Sequence, residues 1–140
     1  MPSDVLLIVR TALRRYAVHY NDLFEVKLIA DLAELRAGGL YNRSCLGVEL
    51  GPLLDPSDQS KLIRRRALIV PLRRRYVALL VDYVDTFLEH AASVPLPMLL
   101  RERLQQSWAI GALVLDDDLI VKLDLRAVAR SAMLRYAGER

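Results

Sequence analysis

No apolar run in this chain is long. Nine separate stretches, 5–9, 15–20, 25–30, 44–50, 67–72, 76–81, 84–90, 109–115 and 119–123, are each rich in Val, Ile, Leu or Tyr and are separated by charged or turn-forming breaks. Runs of about five to seven residues with that composition and punctuation are the signature of β-strands. Several breaks have hairpin length: 11–14, Arg73-Arg74 and Asp116-Asp117-Asp118. A many-stranded, mainly β fold is therefore expected.

Two stretches depart from the strand pattern. From Leu125 onward, Leu125, Val128, Ala129, Ala132, Met133 and Tyr136 fall on one face of a helix, with Asp124 placed as N-cap, Gly138 after the end, and Arg126, Arg130 and Arg135 off the apolar stripe. Asp31-Leu32-Ala33-Glu34, with Gly38-Gly39 behind it, has the form of a capping box and glycine stop around one or two helical turns. Pro95 and Pro97 mark a connection that leads toward a short helical pattern through Leu99, Leu100 and Leu104.

The chain also resembles itself. Arg14-Arg15-Tyr16-Ala17 returns as Arg74-Arg75-Tyr76-Val77, 60 residues later, and the same offset matches Asp22 to Asp82 and Glu25 to Asp85. A second echo joins Val48-Glu49-Leu50 to Leu123-Asp124-Leu125, each a strand end, an acidic cap and a helical start. Two halves of that size are thin as open sheets, but each can protect its edges by curling into a small barrel. The faces between the halves then carry much of the core. The expected division places the first barrel at 15–65 and the second at 66–124, with 1–14 and 125–140 supplying a completing strand and the C-terminal helix.

In that order the segments resemble the CheW-like family. The resemblance runs through Arg15-Tyr16-Ala17-Val18 and Asp22-Leu23-Phe24-Glu25-Val26, then Cys45-Leu46-Gly47-Val48-Glu49-Leu50. It is strongest at Tyr76-Val77-Ala78-Leu79-Leu80-Val81-Asp82-Tyr83-Val84, similar to the family's Gly-Leu-Val-Val-Asp-x-Val pattern, and continues through Ala109-Ile110-Gly111-Ala112-Leu113 and Leu119-Ile120-Val121-Lys122-Leu123-Asp124-Leu125 into a last helix. It covers nearly the whole chain as one CheW-like domain.

The resemblance implies two packed SH3-like five-stranded barrels and a non-catalytic adaptor without a cofactor. Its implied partners are the regulatory domain of a CheA-like histidine kinase and the cytoplasmic tip of a chemoreceptor, with no nucleic acid and no insertion into the membrane. Glu25 and Val26 match a family position near the groove between the barrels, and Leu40, Tyr41, Asn42 and Arg43 form the neighbouring turn. Where the family writes Asn-Leu-Arg-Gly, this chain has Gly39, Leu40, Tyr41 and Asn42. Asn42 can take the positive φ that glycine supplies. Tyr41, however, stands where the family has an arginine near the receptor groove, with Arg43 beside it.

Other chemistries find little footing. His19 and His90 lack partners at metal-ligand spacing, and Cys45 sits in a strand pattern with no adjacent base. A single cysteine forms no internal disulfide, consistent with a reducing compartment. Asp116-Asp117-Asp118 offers three carboxylates in a row where an oxygen cage needs about six ligands, so a solvated turn is the expectation. No glycine-rich phosphate loop is present. The first apolar run follows Met1-Pro2-Ser3-Asp4 without a basic leader, and the expected location is the cytoplasm.

The alternative reading is a small basic β-barrel that binds nucleic acid or another protein partner. It rests on the run from Lys61 to Arg75, which holds seven basic residues and no acid. Against it, 20 Lys and Arg face 17 Asp and Glu over the whole chain, and no aromatic platform interleaves the run. If Arg73-Arg74 is the turn, antiparallel pairing brings Arg65 or Arg66 opposite Asp82, neutralising part of the first triplet.

Overall fold

The computed structural model describes residues 5–31, 34, 45–73, 75–89 and 108–137. Nine strands appear: β1 Val5–Arg10, β2 Arg15–His19, β3 Glu25–Ile29, β4 Cys45–Glu49, β5 Arg65–Pro71, β6 Tyr76–Val81, β7 Tyr83–Glu89, β8 Ala109–Leu115 and β9 Asp118–Leu123. Helix α1 spans Leu50–Leu54, and helix α2 spans Leu125–Ala137. Each of the nine apolar runs has become one strand. The fold is mainly β, two sheets with a C-terminal helix.

One sheet has the order β7-β1-β2-β9-β8 and the other β3-β5-β6-β4. The two have the same plan. β1 is antiparallel to β2 and to β7, while β2 runs parallel to β9. Likewise β5 is antiparallel to β6 and to β3, while β6 runs parallel to β4. This corrects the sequential division at 15–65 and 66–124. β2 belongs with β1, β7, β8 and β9, and β5 and β6 belong with β3 and β4, because each hairpin sends its next strand to the opposite sheet. Among the described residues the second sheet has four strands, not the five expected.

The internal repeat is real, but its register differs by one from the expected offset. Leu7 pairs with Phe87 and Leu68 with Val26, so 68 − 7 = 87 − 26 = 61. The hairpins agree: the Thr11 N–H donates to the Arg14 carbonyl at 2.9 Å, and the Leu72 N–H to the Arg75 carbonyl at 2.8 Å. The parallel pairs extend the match. Tyr16 lies beside Val121 and Val77 beside Leu46, and 121 − 46 = 75 is also the spacing from Val48 to Leu123 and from Leu50 to Leu125.

Side-chain direction explains why one residue matters. A one-residue slip turns every strand side chain to the opposite face. Tyr16 lies in the central core and Tyr76 in a different cluster, so the two tyrosines are not equivalent despite their matching neighbours. In the structural register, Leu7 and Leu68, Val9 and Val70, Tyr16 and Val77, Val18 and Leu79, and Leu123 and Val48 all enter the central core. The alternate positions form two separate clusters, Leu6, Ile8, Ala17 and Ile120 in one half and Ala67, Ile69, Ala78 and the partly buried Cys45 in the other. Each half thus has its own interior, and a shared core joins them.

The local devices follow the sequence closely. Asp116 and Asp117 have φ of 52° and 64° and close a two-residue turn between Leu115 and Asp118. Two positive-φ residues in succession are what the primed hairpin turns require, and aspartate tolerates that conformation. At the start of α2, the Ala127 N–H donates to Asp124 Oδ1 at 3.2 Å, so Asp124 is the N-cap. Leu125, Val128, Ala129 and Ala132 are buried and Met133 half-buried, while Arg126, Arg130 and Arg135 face solvent. Glu34 Oε2 accepts from the Ala30 N–H at 2.6 Å and the Asp31 N–H at 3.0 Å, which is the backward half of the expected capping box. Gly38-Gly39, the 95–104 connection and Tyr136's side chain lie outside the described residues.

Candidate docking surface

Asp82 sits where β6 of one sheet becomes β7 of the other, and it is buried. Its N–H donates to the Arg10 carbonyl at 2.8 Å, and its own carbonyl accepts from Arg66 Nη1 at 3.1 Å. Arg65, only 11% exposed, lies 2.6 Å from Glu49 and 3.2 Å from the Asp82 carboxylate. A guanidinium removed from water is tolerated only with such partners. The expected neutralisation of part of the first arginine triplet is therefore present at Arg65, while Arg66 is held by the Asp82 backbone carbonyl. Arg66 also lies over the Tyr83 ring, 5.3 Å from its centre. That leaves the nucleic-acid reading with fewer free cations than the sequence offers.

The strands beside the shared core present unburied apolar groups. Among the described residues β3 ends the order of its sheet, and Val26 and Leu28 on it are 38% and 52% exposed. Val26 is paired with Leu68, a central-core residue, so Val26 and Leu28 prolong the core's face beyond the point where it is covered. The equivalent strand β7 does the same with Phe87, whose ring meets Tyr20 edge-on at 5.5 Å. Phe24, 51% exposed, tilts against Tyr76 at 5.4 Å. Exposed apolar side chains gathered on edge strands mark an interaction surface more often than a solvated one.

Of the residues singled out from sequence, Glu25 and Val26 are both exposed at this edge. Leu40, Tyr41, Asn42 and Arg43 lie outside the described residues. Sequence reasoning missed Leu28, although its place two residues beyond Val26 puts it on the same strand face. It also missed Phe87 and Tyr20, which only the strand crossover brings together.

The groups that could have supported chemistry do not converge. Burial pushes the Cys45 thiol up, away from the thiolate a nucleophile needs. Among the described residues, no cluster of three or more His, Cys, Asp or Glu is placed to hold a metal ion. Among them, too, no helix is long and apolar enough to cross a membrane.

The backbone itself has a counterpart. Over 91% of this chain and 88% of the other, it superposes on the scaffolding protein TtCheW from Thermoanaerobacter tengcongensis with a TM-score of 0.69. The fold is CheW-like. Sequence identity over the match is 18%, so the likeness is one of architecture. No family model matches the chain, and no curated protein matches it.

Proposed function

We propose that this chain is a non-catalytic adaptor that couples the cytoplasmic tip of a chemoreceptor to the regulatory domain of a CheA-like histidine kinase in the cytoplasm. The observation that carries the reading is the exposed apolar edge of β3, where Val26 and Leu28 extend the face of the shared core in a CheW-like fold. An exposed apolar strand edge can pack against the stripe of a partner helix or accept an added strand. Glu25, at the start of the same strand, supplies charge at the rim. Leu40, Tyr41, Asn42 and Arg43 belong to the same proposed surface through the family resemblance, and Tyr41 in place of the family's arginine retunes receptor choice.

The test is calorimetric titration of the purified chain with the regulatory domain of a CheA-like kinase, and separately with a receptor-tip fragment, both from the same cell. Binding in the micromolar range is expected, weakened about tenfold or more by Val26→Asp or Leu28→Asp. Both positions are exposed, so the variants keep the fold, which circular dichroism verifies. No heat of binding with either partner would overturn the proposal. Tyr41→Arg is expected to change receptor affinity while leaving kinase affinity unaltered.

A further inference from the structure

The two equivalent hairpins are covered differently. At the first, 11–14, the chain that follows α1 turns back. The buried Asp58 accepts from Thr11 Oγ1 at 2.5 Å and from the Leu13 N–H at 3.0 Å, and Asp55 accepts from Arg14 Nη2 at 2.9 Å. Gly51 allows that return, because a β-carbon there would stand 2.7 Å from the Asp58 carbonyl oxygen. Two carboxylates three residues apart thus close over this hairpin.

At the second, formed around Leu72 and Arg75, no such loop arrives among the described residues. Helix α2 starts at the position equivalent to α1 but continues to Ala137, and it brings Met133 to the hairpin, its sulfur 3.6 Å from Arg75 Nη1. Among the described residues, neither Arg73 nor Arg75 has a carboxylate within ion-pair distance, and both are exposed. Leu72, Arg73, Arg75 and Met133 line a pocket of about 440 Å3. Among the described residues its lining combines two apolar side chains, Leu72 and Met133, with two cations.

We propose that Leu72, Arg73, Arg75 and Met133 form a docking site for an acidic peptide segment of a partner protein, whose carboxylates meet Arg73 and Arg75 while an apolar side chain enters the pocket. Charge complementarity selects that occupant, and the first hairpin shows the contact in kind, since Arg14, the equivalent of Arg75, donates to the carboxylate of Asp55. Arginine facing carboxylate gives the directional, charge-assisted contact such a segment needs. The site lies apart from the β3 edge and does not depend on the adaptor role.

The experiment is a 15N–1H NMR titration of the full chain with the peptide acetyl-Leu-Leu-Asp-Pro-Ser-Asp-Gln-amide and with its twin carrying Asn at both Asp positions. The expected result is saturable shifts at Leu72, Arg73, Arg75 and Met133, about tenfold weaker with the Asn twin and with the double variant Arg73→Glu, Arg75→Glu. Both arginines are exposed, so the variant's spectrum should otherwise match the parent. Absence of shifts at these residues, or equal binding of the two peptides, would overturn the proposal. So would concentration-dependent broadening at the same residues without peptide, since the occupant would then be a second copy of the chain.

Discussion

The hairpins at 11–14 and 72–75 begin from the same backbone and end in different company. Both are closed by the same backbone bond, and both feed strands whose inward residues enter one shared core. Yet the first is sealed by Asp55 and Asp58 from the opposite half, and the second meets a helix face through Met133. The difference shows what a repeated fold leaves free. Core positions are held to equivalence because both halves must fill one volume, whereas the covering of each hairpin can diverge, one toward internal closure and the other toward an outward-facing site.

If the halves share one core, equivalent positions should cost the same when emptied. Leu7→Ala and Leu68→Ala, both fully buried, are each expected to lower stability by about 3 kcal/mol in urea unfolding. A large effect at one and none at the other would break the equivalence. The hairpins should differ instead. Asp58→Ala strips a buried acceptor from Thr11 and the Leu13 N–H and is expected to cost about 2 kcal/mol, against about 1 kcal/mol for Met133→Ala at the other hairpin.

Smaller effects sharpen the same comparison. Tyr16 is buried, with its hydroxyl unpartnered among the described residues, where its equivalent Val77 has no hydroxyl, so Tyr16→Phe should change stability by less than about 1 kcal/mol. Burial pushes the Tyr16 phenol up to about 12. The folded state favours the neutral form, so this contribution is present below pH 10 and is lost as pH rises through about 12, which ultraviolet titration of the phenolates will show as a lagging step. The smallest effect concerns Asp55, which Arg14 and Ser57 hold down at about 2. Its contribution is present above the ordinary value of 3.8 and is lost as pH falls through about 2. Carboxyl-carbon NMR should find that midpoint, and Arg14→Gln should move it upward.

Most of the fold was legible because strand content, turns and the last helix are written in local periodicity. Run 67–72 became β5 with two arginines added at its front, since Arg65 and Arg66 reach the Asp82 crossover. The repeat was visible but one residue out of step, because Arg-Arg-Tyr and the aspartates recur at 60 residues while the apolar face that fixes register recurs at 61. Sheet membership was not legible, since nothing local says that β3 and β7 cross to the opposite half. At the candidate surface, Val26 could be read from resemblance, but the Asp58 clamp spans 47 residues to Thr11 and carries no periodic signal. Phe87 and Tyr20 meet only through the crossover.

The most direct test of the adaptor reading is co-sedimentation of membranes bearing the cognate chemoreceptor with the CheA-like kinase, with and without this chain. The account predicts that the kinase enters the pellet in quantity only when the chain is present, that the chain pellets with it, and that Val26→Asp removes both. Equal kinase in the pellet with and without the chain, or a chain that stays in the supernatant while the kinase sediments, would contradict it.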